Sequence, residues 1–305
     1  MGRPAYDALP PAVRAWVEAV LGSPVVAWTS EPGGFSPGVA ARLTCADGTR
    51  AFVKAVSAEV NPVSPDMHRT EAKVAAALPP ALGAPRLLAS YDDGTWVALL
   101  LEEVDGRPPT TPWQPDELAA ALRALDRLSV EPALPGLRTA EEVLGDDFTS
   151  WRELATDPPP DLAPWQLAHL DELVALEAGA VEAGAGDRLL HLDARGDNML
   201  VRPDGEIVLV DWPWAAAGNP VLDVVAFVPS AMLHGVDDPE AVLQATAAGR
   251  AASPAGVTSL LAAFTGLMEL VRRKPPPPGI ETVRAFQAAQ ARVAGAWLLR
   301  RTGWG

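Results

Sequence analysis

The chain has 305 residues, with 24 Lys and Arg against 39 Asp and Glu, a formal net charge of −15 and 49% hydrophobic residues. That is material for a sizeable core in one large or two ordinary domains, and with only 21% charged residues it is not a disordered chain. The acid excess argues against a surface that grips nucleic acid or an anionic membrane; it serves solubility or a cationic ligand.

Residues 10–21, PPAVRAWVEAVL, read as an amphipathic helix with proline at its start, where proline is tolerated. The period then changes. Residues 25–29, 39–44 and 51–56 are short β-prone runs separated by Pro32-Gly33-Gly34 and Ala46-Asp47-Gly48. A helix is expected over 65–78, closed by Pro79-Pro80. Strands over 86–91 and 95–101 flank Asp92-Asp93-Gly94, a hairpin signal. The first part is therefore an antiparallel sheet with one helix inserted after its third strand. Residues 102–115 are rich in proline and polar residues and mark a boundary, which divides the chain into lobes of 1–103 and 104–305. Helices are expected beyond it over 116–128, 148–154, 164–182, 220–229, 239–248, 257–273 and 281–299, interrupted only by a hairpin over 199–210.

Cys45 is the only cysteine, which removes disulfide and cysteine–zinc chemistry, and His68, His169, His191 and His234 lack metal-ligand spacing. No signal-like N-terminal run and no uninterrupted apolar span is present, so a cytoplasmic protein without a membrane or nucleic-acid partner, monomer or dimer, is the expectation.

The densest signal is LLHLDARGDNMLVRPDGEIVLVDW over 189–212. Asn198 and Asp211 bracket the expected hairpin symmetrically about its Pro203-Asp204-Gly205 turn, which brings both to its open end. An amide oxygen beside a carboxylate is a hard donor pair suited to Mg²⁺. Asp193, just upstream, would face the same point and could accept the proton of an attacking hydroxyl. These groups fit the demands of phosphoryl transfer, and the pattern H-x-D-x-x-x-x-N, then a hairpin and Asp, has the form of the kinase-type catalytic loop. His191 would hydrogen-bond the loop backbone rather than transfer protons.

On these residues the chain resembles the aminoglycoside phosphotransferase and choline kinase-like superfamily, relatives of the protein kinases. His191-Leu192-Asp193-Ala194-Arg195-Gly196-Asp197-Asn198 is similar to its H-G-D-L-H-x-x-N loop, and Val210-Asp211-Trp212 to its metal-binding I-D-W element. Ala51-Phe52-Val53-Lys54 resembles the third-strand lysine motif, with Glu71 placed as the lysine's partner and Glu59 as a rival. Gly33-Gly34-Phe35-Ser36 resembles the nucleotide loop, to which Gly33, Gly34 and Ser36 would belong, and 99–103, with Glu102, the adenine hinge. Asp223 stands where the family braces its catalytic loop.

The resemblance implies an α+β, two-lobed, protein kinase-like fold with a small antiparallel-sheet N-lobe and a larger helical C-lobe. It implies an ATP- or GTP- and Mg²⁺-dependent transfer to a small-molecule hydroxyl. The acceptor would be an antibiotic, or else an amino alcohol, sugar or nucleoside; a non-catalytic nucleotide-binding module is the remaining reading. Two residues depart from the pattern: Leu192 replaces glycine and Arg195 the second histidine, where it could place positive charge near the transferred phosphate. Residues after Glu281 carry no acid, whereas aminoglycoside enzymes often hold the drug's ammonium groups with C-terminal carboxylates. Asp211 runs within ten residues into the expected helix near Asn219-Pro220, which leaves no room for a protein-kinase activation segment. Trp113, Trp151 and Trp165 either pack a core or border an acceptor pocket. Glu141, Glu142, Asp146, Asp147, Asp157 and Asp161 either form a solvated face or recruit a cation.

Overall fold

Residues 3–31, 34 and 36–304 are described by the computed structural model of the chain. It divides into two compact units, and each is described by itself. The first comprises Met1–Arg107, Val208–Trp214 and Pro277–Glu281; the second comprises Pro108–Ile207, Ala215–Pro276 and Thr282–Gly305. The units therefore differ from a single cut at 103/104, because two later segments return to the first.

The first unit contains α1 (Pro11–Leu21), β1 (Val25–Ser30), β2 (Val39–Cys45), β3 (Arg50–Ser57), α2 (Ser64–Ala75), β4 (Leu87–Asp92) and β5 (Trp96–Glu102). The strands form one antiparallel sheet in the order β1-β2-β3-β5-β4. Alternation sorts its faces. Val39, Ala41, Leu43, Ala51, Val53, Ala55, Ala98 and Leu100 bury one face with Val13 and Val17 of α1. Val56, Val97, Leu99 and Leu101 build the other core, with Phe52 and Ala72 of α2 packed against it. Lys54 shares the period of Phe52 and Val56, so it points to the α2 side from the central strand β3. Helix α2 stops three residues short of the expected end. Pro79 lacks an N–H and disfavours helical backbone at the residue before it, so the chain leaves the helix through tighter bonds such as Ala77 N–H to Val74 O, 2.9 Å.

The second unit is mainly helical, in keeping with the α+β class. It contains α3 (Pro115–Ser129), α4 (Ala140–Leu144), α5 (Ser150–Thr156), α6 (Pro164–Ala168), α7 (Leu170–Ala178) and α8 (Ala180–Gly184). Strands β6 (Arg188–Leu190), β7 (Met199–Val201), β8 (Ile207–Leu209) and β9 (Ala216–Gly218) follow, with the unit boundary just inside β8. Helices α9 (Val221–Leu233), α10 (Pro239–Ala245), α11 (Ala247–Ala251), α12 (Pro254–Val271) and α13 (Val283–Thr302) complete the chain.

Four expectations are corrected here. The single helix over 164–182 is three, because His169 leaves the helical region at φ −121° and Gly179 ends α7. The helix over 239–248 breaks at Thr246, whose hydroxyl caps α11 by accepting from Gly249 N–H at 3.0 Å. Helix α9 runs on through Pro229 to Leu233, since an interior proline removes only one ladder bond and this helix is buried around it. Strands β6 and β9, antiparallel and three residues each, were not expected; runs that short carry no readable alternation. The hairpin over 199–210 does form as β7 and β8, its turn closed by Arg202 N–H to Glu206 O and Gly205 N–H to Arg202 O, both 2.9 Å.

Helix α12 is the axis of this unit, packed by α5, α7, α8 and α13. Its 18 residues, of mean hydropathy 1.4, are long and apolar enough to cross a membrane, yet Leu260, Leu261, Ala262 and Ala263 are buried among its neighbours. It carries Glu269, which accepts from Gln166 Nε2 at 3.0 Å and from Arg272 Nε at 2.6 Å. Trp151, fully buried, donates its Nε1–H to Ala262 O at 2.8 Å. It therefore serves the core. Gly266 lets it lie against the helix: a Cβ there would sit 2.6 Å from Trp151 Cδ1.

Gly266→Ala should accordingly push Trp151 off its carbonyl. The expected loss is about 1–3 kcal/mol in urea unfolding, with a changed tryptophan emission spectrum. Unchanged stability would mean that Trp151 is loosely held.

Candidate active site

Two groups of side chains gather the residues expected from the sequence, one in each unit. In the first unit, Lys54 Nζ lies 2.6 Å from Glu71 Oε2 and 2.6 Å from Asp211 Oδ1. Glu71 arrives there because Ser64, His68, Glu71 and Ala75 share the buried stripe of α2 at helical spacing. Glu59, the rival, is exposed, and the lysine takes Glu71. Burial works against the charge on Lys54, but Asp211 and Glu71 outweigh it and hold its pKa above the ordinary lysine value. Burial pushes the Glu71 carboxyl up, with Lys54 opposing. Asp211 adopts φ +69°, a left-handed turn rare outside glycine, just after β8.

Two residues that sequence reasoning missed line this group. His68 donates its Nδ1–H to Ser64 O at 3.1 Å, while its buried Nε2 has no hydrogen-bond partner. Burial, then Lys54, pushes its pKa down to about 3, so it stays neutral. Arg3 is held down by burial, with Asp211 and Glu31 opposing. Its guanidinium lies against Gly34, where a Cβ would come within 2.6 Å of Nη2. A lone arginine near the start of a chain gives no sequence signal.

Of the expected nucleotide-loop residues, Gly33 lies outside the described residues. Gly34 has φ +83°. Ser36 Oγ accepts from Gly38 N–H at 3.4 Å. Gly38 is where the loop meets β3: a Cβ there would lie 2.1 Å from Ala55 O, so only glycine permits the approach. Glu102 ends β5 with its carboxylate turned to Arg86, Nη2 to Oε1 2.7 Å.

In the second unit the loop after β6 is held by one buried carboxylate. Asp223, in the first turn of α9, accepts from His191 N–H at 2.9 Å and Leu192 N–H at 2.7 Å. Burial pushes its pKa up to about 6, with those two amides opposing. Leu192 is held at φ +57°, a conformation costly for an L-residue and natural to the glycine it replaces. His191 is fully buried, and its Nδ1 accepts from Asp193 N–H at 3.3 Å.

Asp193 is then fixed from both sides. Asn198 Nδ2 donates to Asp193 Oδ2 and to its backbone O, both at 2.9 Å. Arg195 Nη1 donates to Asp193 Oδ1 at 2.7 Å, while Nε and Nη2 grip Asp197 at 3.0 Å each. The guanidinium lies over the Phe286 ring, 5.2 Å from its centroid. Arg195 thus positions Asp193, a role its spacing did not reveal.

Asp193, Leu192 and Arg195 border a cavity of about 140 Å³ whose walls also include Asp147, Phe264, Phe286 and Gln290. Of the acidic stretch, Asp147 alone lines it. Asp161 is taken by Arg272 and Arg273, and Glu142 caps α4 through Thr139. Trp113 packs edge-on against Phe227 at 5.8 Å, and Trp165 tilts against Trp304 at 6.4 Å.

Asn198 belongs to the second unit and Asp211 to the first. Among the described residues no cluster of three or more His, Cys, Asp or Glu could hold a metal. Taken singly, the amide oxygen of Asn198 and the carboxylate of Asp211 are hard donors of the kind a divalent cation takes.

The family described as "Phosphotransferase enzyme family" matches residues 29–264. No curated protein sequence matches the chain. Among solved structures, choline kinase LicA from Streptococcus pneumoniae is 13% identical with a TM-score of 0.63, covering 95% of this chain and 98% of that one. Macrolide 2'-phosphotransferase MphH from Brachybacterium faecium is 18% identical with a TM-score of 0.58, covering 94% and 96%. The aminoglycoside phosphotransferase from Alicyclobacillus acidocaldarius is 17% identical with a TM-score of 0.56, covering 94% and 95%. At these identities the likeness is one of fold.

Asp223 should leave a mark on stability against pH. Its folded pKa lies above the unfolded value, so the folded chain holds an extra proton between about pH 4 and pH 6. Its contribution is fully present below that window and is lost as pH rises through it, by up to about 3 kcal/mol. Asp223→Asn should flatten this slope in urea unfolding: it should cost about 1–3 kcal/mol below the window, where one loop amide loses its acceptor, and that deficit should shrink or vanish above it, where the wild type carries the buried charge. Persistence of the slope in the variant would assign it to another group.

Proposed function

The chain belongs to the phosphotransferase enzyme family and is a small-molecule kinase, and from that premise we propose that it moves the γ-phosphate of ATP or GTP, with Mg²⁺, to a hydroxyl of a small acceptor. The observation that carries the reading is Asp193, held by Asn198 and Arg195 at the wall of a cavity large enough for part of an acceptor.

In this reading the acceptor hydroxyl gives its proton to Asp193 as its oxygen bonds the γ-phosphorus. The bond from that phosphorus to the β-phosphate oxygen breaks, and the nucleoside diphosphate leaves. Lys54, kept charged by Glu71 and Asp211, would contact the phosphates, and the 33–38 loop with Gly33, Gly34 and Ser36 would cover them. The hinge with Glu102 would take the base. Asn198 and Asp211 would hold Mg²⁺, which supplies neutralisation of phosphate charge when bound. Arg195 would add positive charge beside Asp193 once phosphate is present. His191 and Asp223 keep the loop in shape. Catalysis comes from positioning and charge, as this transfer needs little covalent help.

Support for a nucleotide donor comes from two solved relatives, a mutant of aminoglycoside phosphotransferase APH(4)-Ia in complex with ADP and hygromycin B, and LicA in complex with AMP. An antibiotic acceptor, in resistance or self-protection, is the first reading, and a metabolite kinase for an amino alcohol, sugar or nucleoside is the second. What favours the second is that residues 282–305 carry no acid. A non-catalytic module is disfavoured because Lys54, Asp193, Asn198 and Asp211 are all retained. A cytoplasmic location fits a nucleotide donor.

The test is nucleoside diphosphate release with ATP and with GTP over a panel of hydroxylated acceptors. Asp193→Asn should lower acceptor-dependent release by about 10²- to 10⁴-fold and leave nucleotide affinity nearly intact. Retained turnover would remove Asp193 from the chemistry.

A further inference from the structure

The cavity beside Asp193 has a composition that selects its occupant. Its volume, about 140 Å³, is close to that of an engineered apolar cavity that holds benzene, about 150 Å³. Phe148, Leu192, Phe264, Leu267, Met268 and Phe286 supply apolar walls. Leu192 is among them only because the loop tolerates its left-handed backbone; the family's glycine would leave this wall bare.

Polar groups are few. Asp193 is paired with Arg195 at 2.7 Å, a guanidinium it shares with Asp197. Asp147, from a different segment of chain, forms no salt bridge among the described residues, and burial pushes its carboxyl above the ordinary value, with Lys274 opposing. Gln290 on α13 is 2% exposed, and its Oε1 is buried without a hydrogen-bond partner. A buried amide oxygen forfeits its water bonds and recovers them only from a donor that enters the cavity. Both Gln290 Oε1 and Asp147 accept hydrogen bonds and neither oxygen set attracts an anion. Asp147 is the one carboxylate of this lining without a salt bridge among the described residues, so a single ammonium group finds a partner there and the several of a polycation would be buried among apolar walls.

We propose that this cavity is the acceptor subsite and that it takes a hydroxyl compound with an apolar, ring-sized body and a single N–H-bearing amine read by Gln290 and Asp147, not a polycation. The inference rests on the phosphotransferase reading for the role of the hydroxyl, but its recognition chemistry is measurable without turnover.

The experiment is calorimetric titration of the full chain with three probes: 2-amino-1-phenylethanol, its deaminated analogue 1-phenylethanol, and the polycation kanamycin. The aminated ring should bind at millimolar concentration or better, more tightly than its analogue and more tightly than kanamycin. Gln290→Leu should weaken the aminated probe about three- to tenfold, the worth of one hydrogen bond, while 1-phenylethanol binds as before or more tightly. Asp147→Asn, on a separate segment, should weaken only the aminated probe and so covers the case in which the helix variant misfolds. Equal loss of both ring probes in the variants would make these residues structural and overturn the proposal. So would tighter binding of kanamycin, or failure of either ring compound to bind. Diphosphate release from MgATP is read separately. Ring binding that responds to Gln290→Leu, with no turnover of any acceptor, sinks the phosphotransfer reading and leaves the subsite; turnover of kanamycin without ring binding does the reverse.

Discussion

A single buried carboxylate holds the loop after β6 in place. Asp223 reaches from the first turn of α9 to the backbone of His191 and Leu192, and both of its oxygens are spent on amide hydrogens. Those two bonds hold Leu192 in a left-handed conformation that its side chain disfavours. The reversal of the chain there sets where Asp193 emerges, and Asn198 and Arg195 then lock its oxygens. Removing water from a carboxylate is costly, and the amides return only part of that cost, which is why its pKa rises to about 6. The loop is therefore stabilised less than it is specified.

The first unit shows the same trade around Lys54. An ammonium group on the central strand of a sheet is tolerable only if it is paired, and here two carboxylates pair it. One comes from α2, the other from a segment more than a hundred and fifty residues later, which is why Val208–Trp214 belongs to the first unit. Such buried pairs contribute little net stability compared with apolar packing of the same volume. What they do is fix a charge in advance on rigid elements.

The strong acidity of the chain bears less on the acceptor than its size suggests. Much of the acid is committed locally: Asp161 to the two arginines that follow α12, Glu142 to a helix cap, Glu102 to Arg86. Inside the cavity one carboxylate, one orphaned amide oxygen and a run of apolar side chains remain beside the Asp193–Arg195 pair. A family fold retained at 13–18% identity thus carries a recognition surface of its own making.

Much of this was legible in the chain itself. The strands from β1 to β5, the single helix between them and the hairpin of β7 and β8 follow from alternation and turn residues that act over a few neighbours. Asp193, Asn198, Lys54, Glu71 and Asp211 stood out because the chemistry they suit demands those residue types at those spacings. Breaks at His169, Gly179 and Thr246 escaped because helical periodicity continues across them, and three-residue strands carry no period at all. The partner of Arg195, the burial of Arg3 and His68, and the meeting of Asp147, Leu192 and Gln290 around one cavity were settled only by the tertiary structure. Local geometry is written in neighbouring residues, whereas burial and charge pairing are collective: they depend on which distant segments exclude water together, and no single stretch of sequence records that.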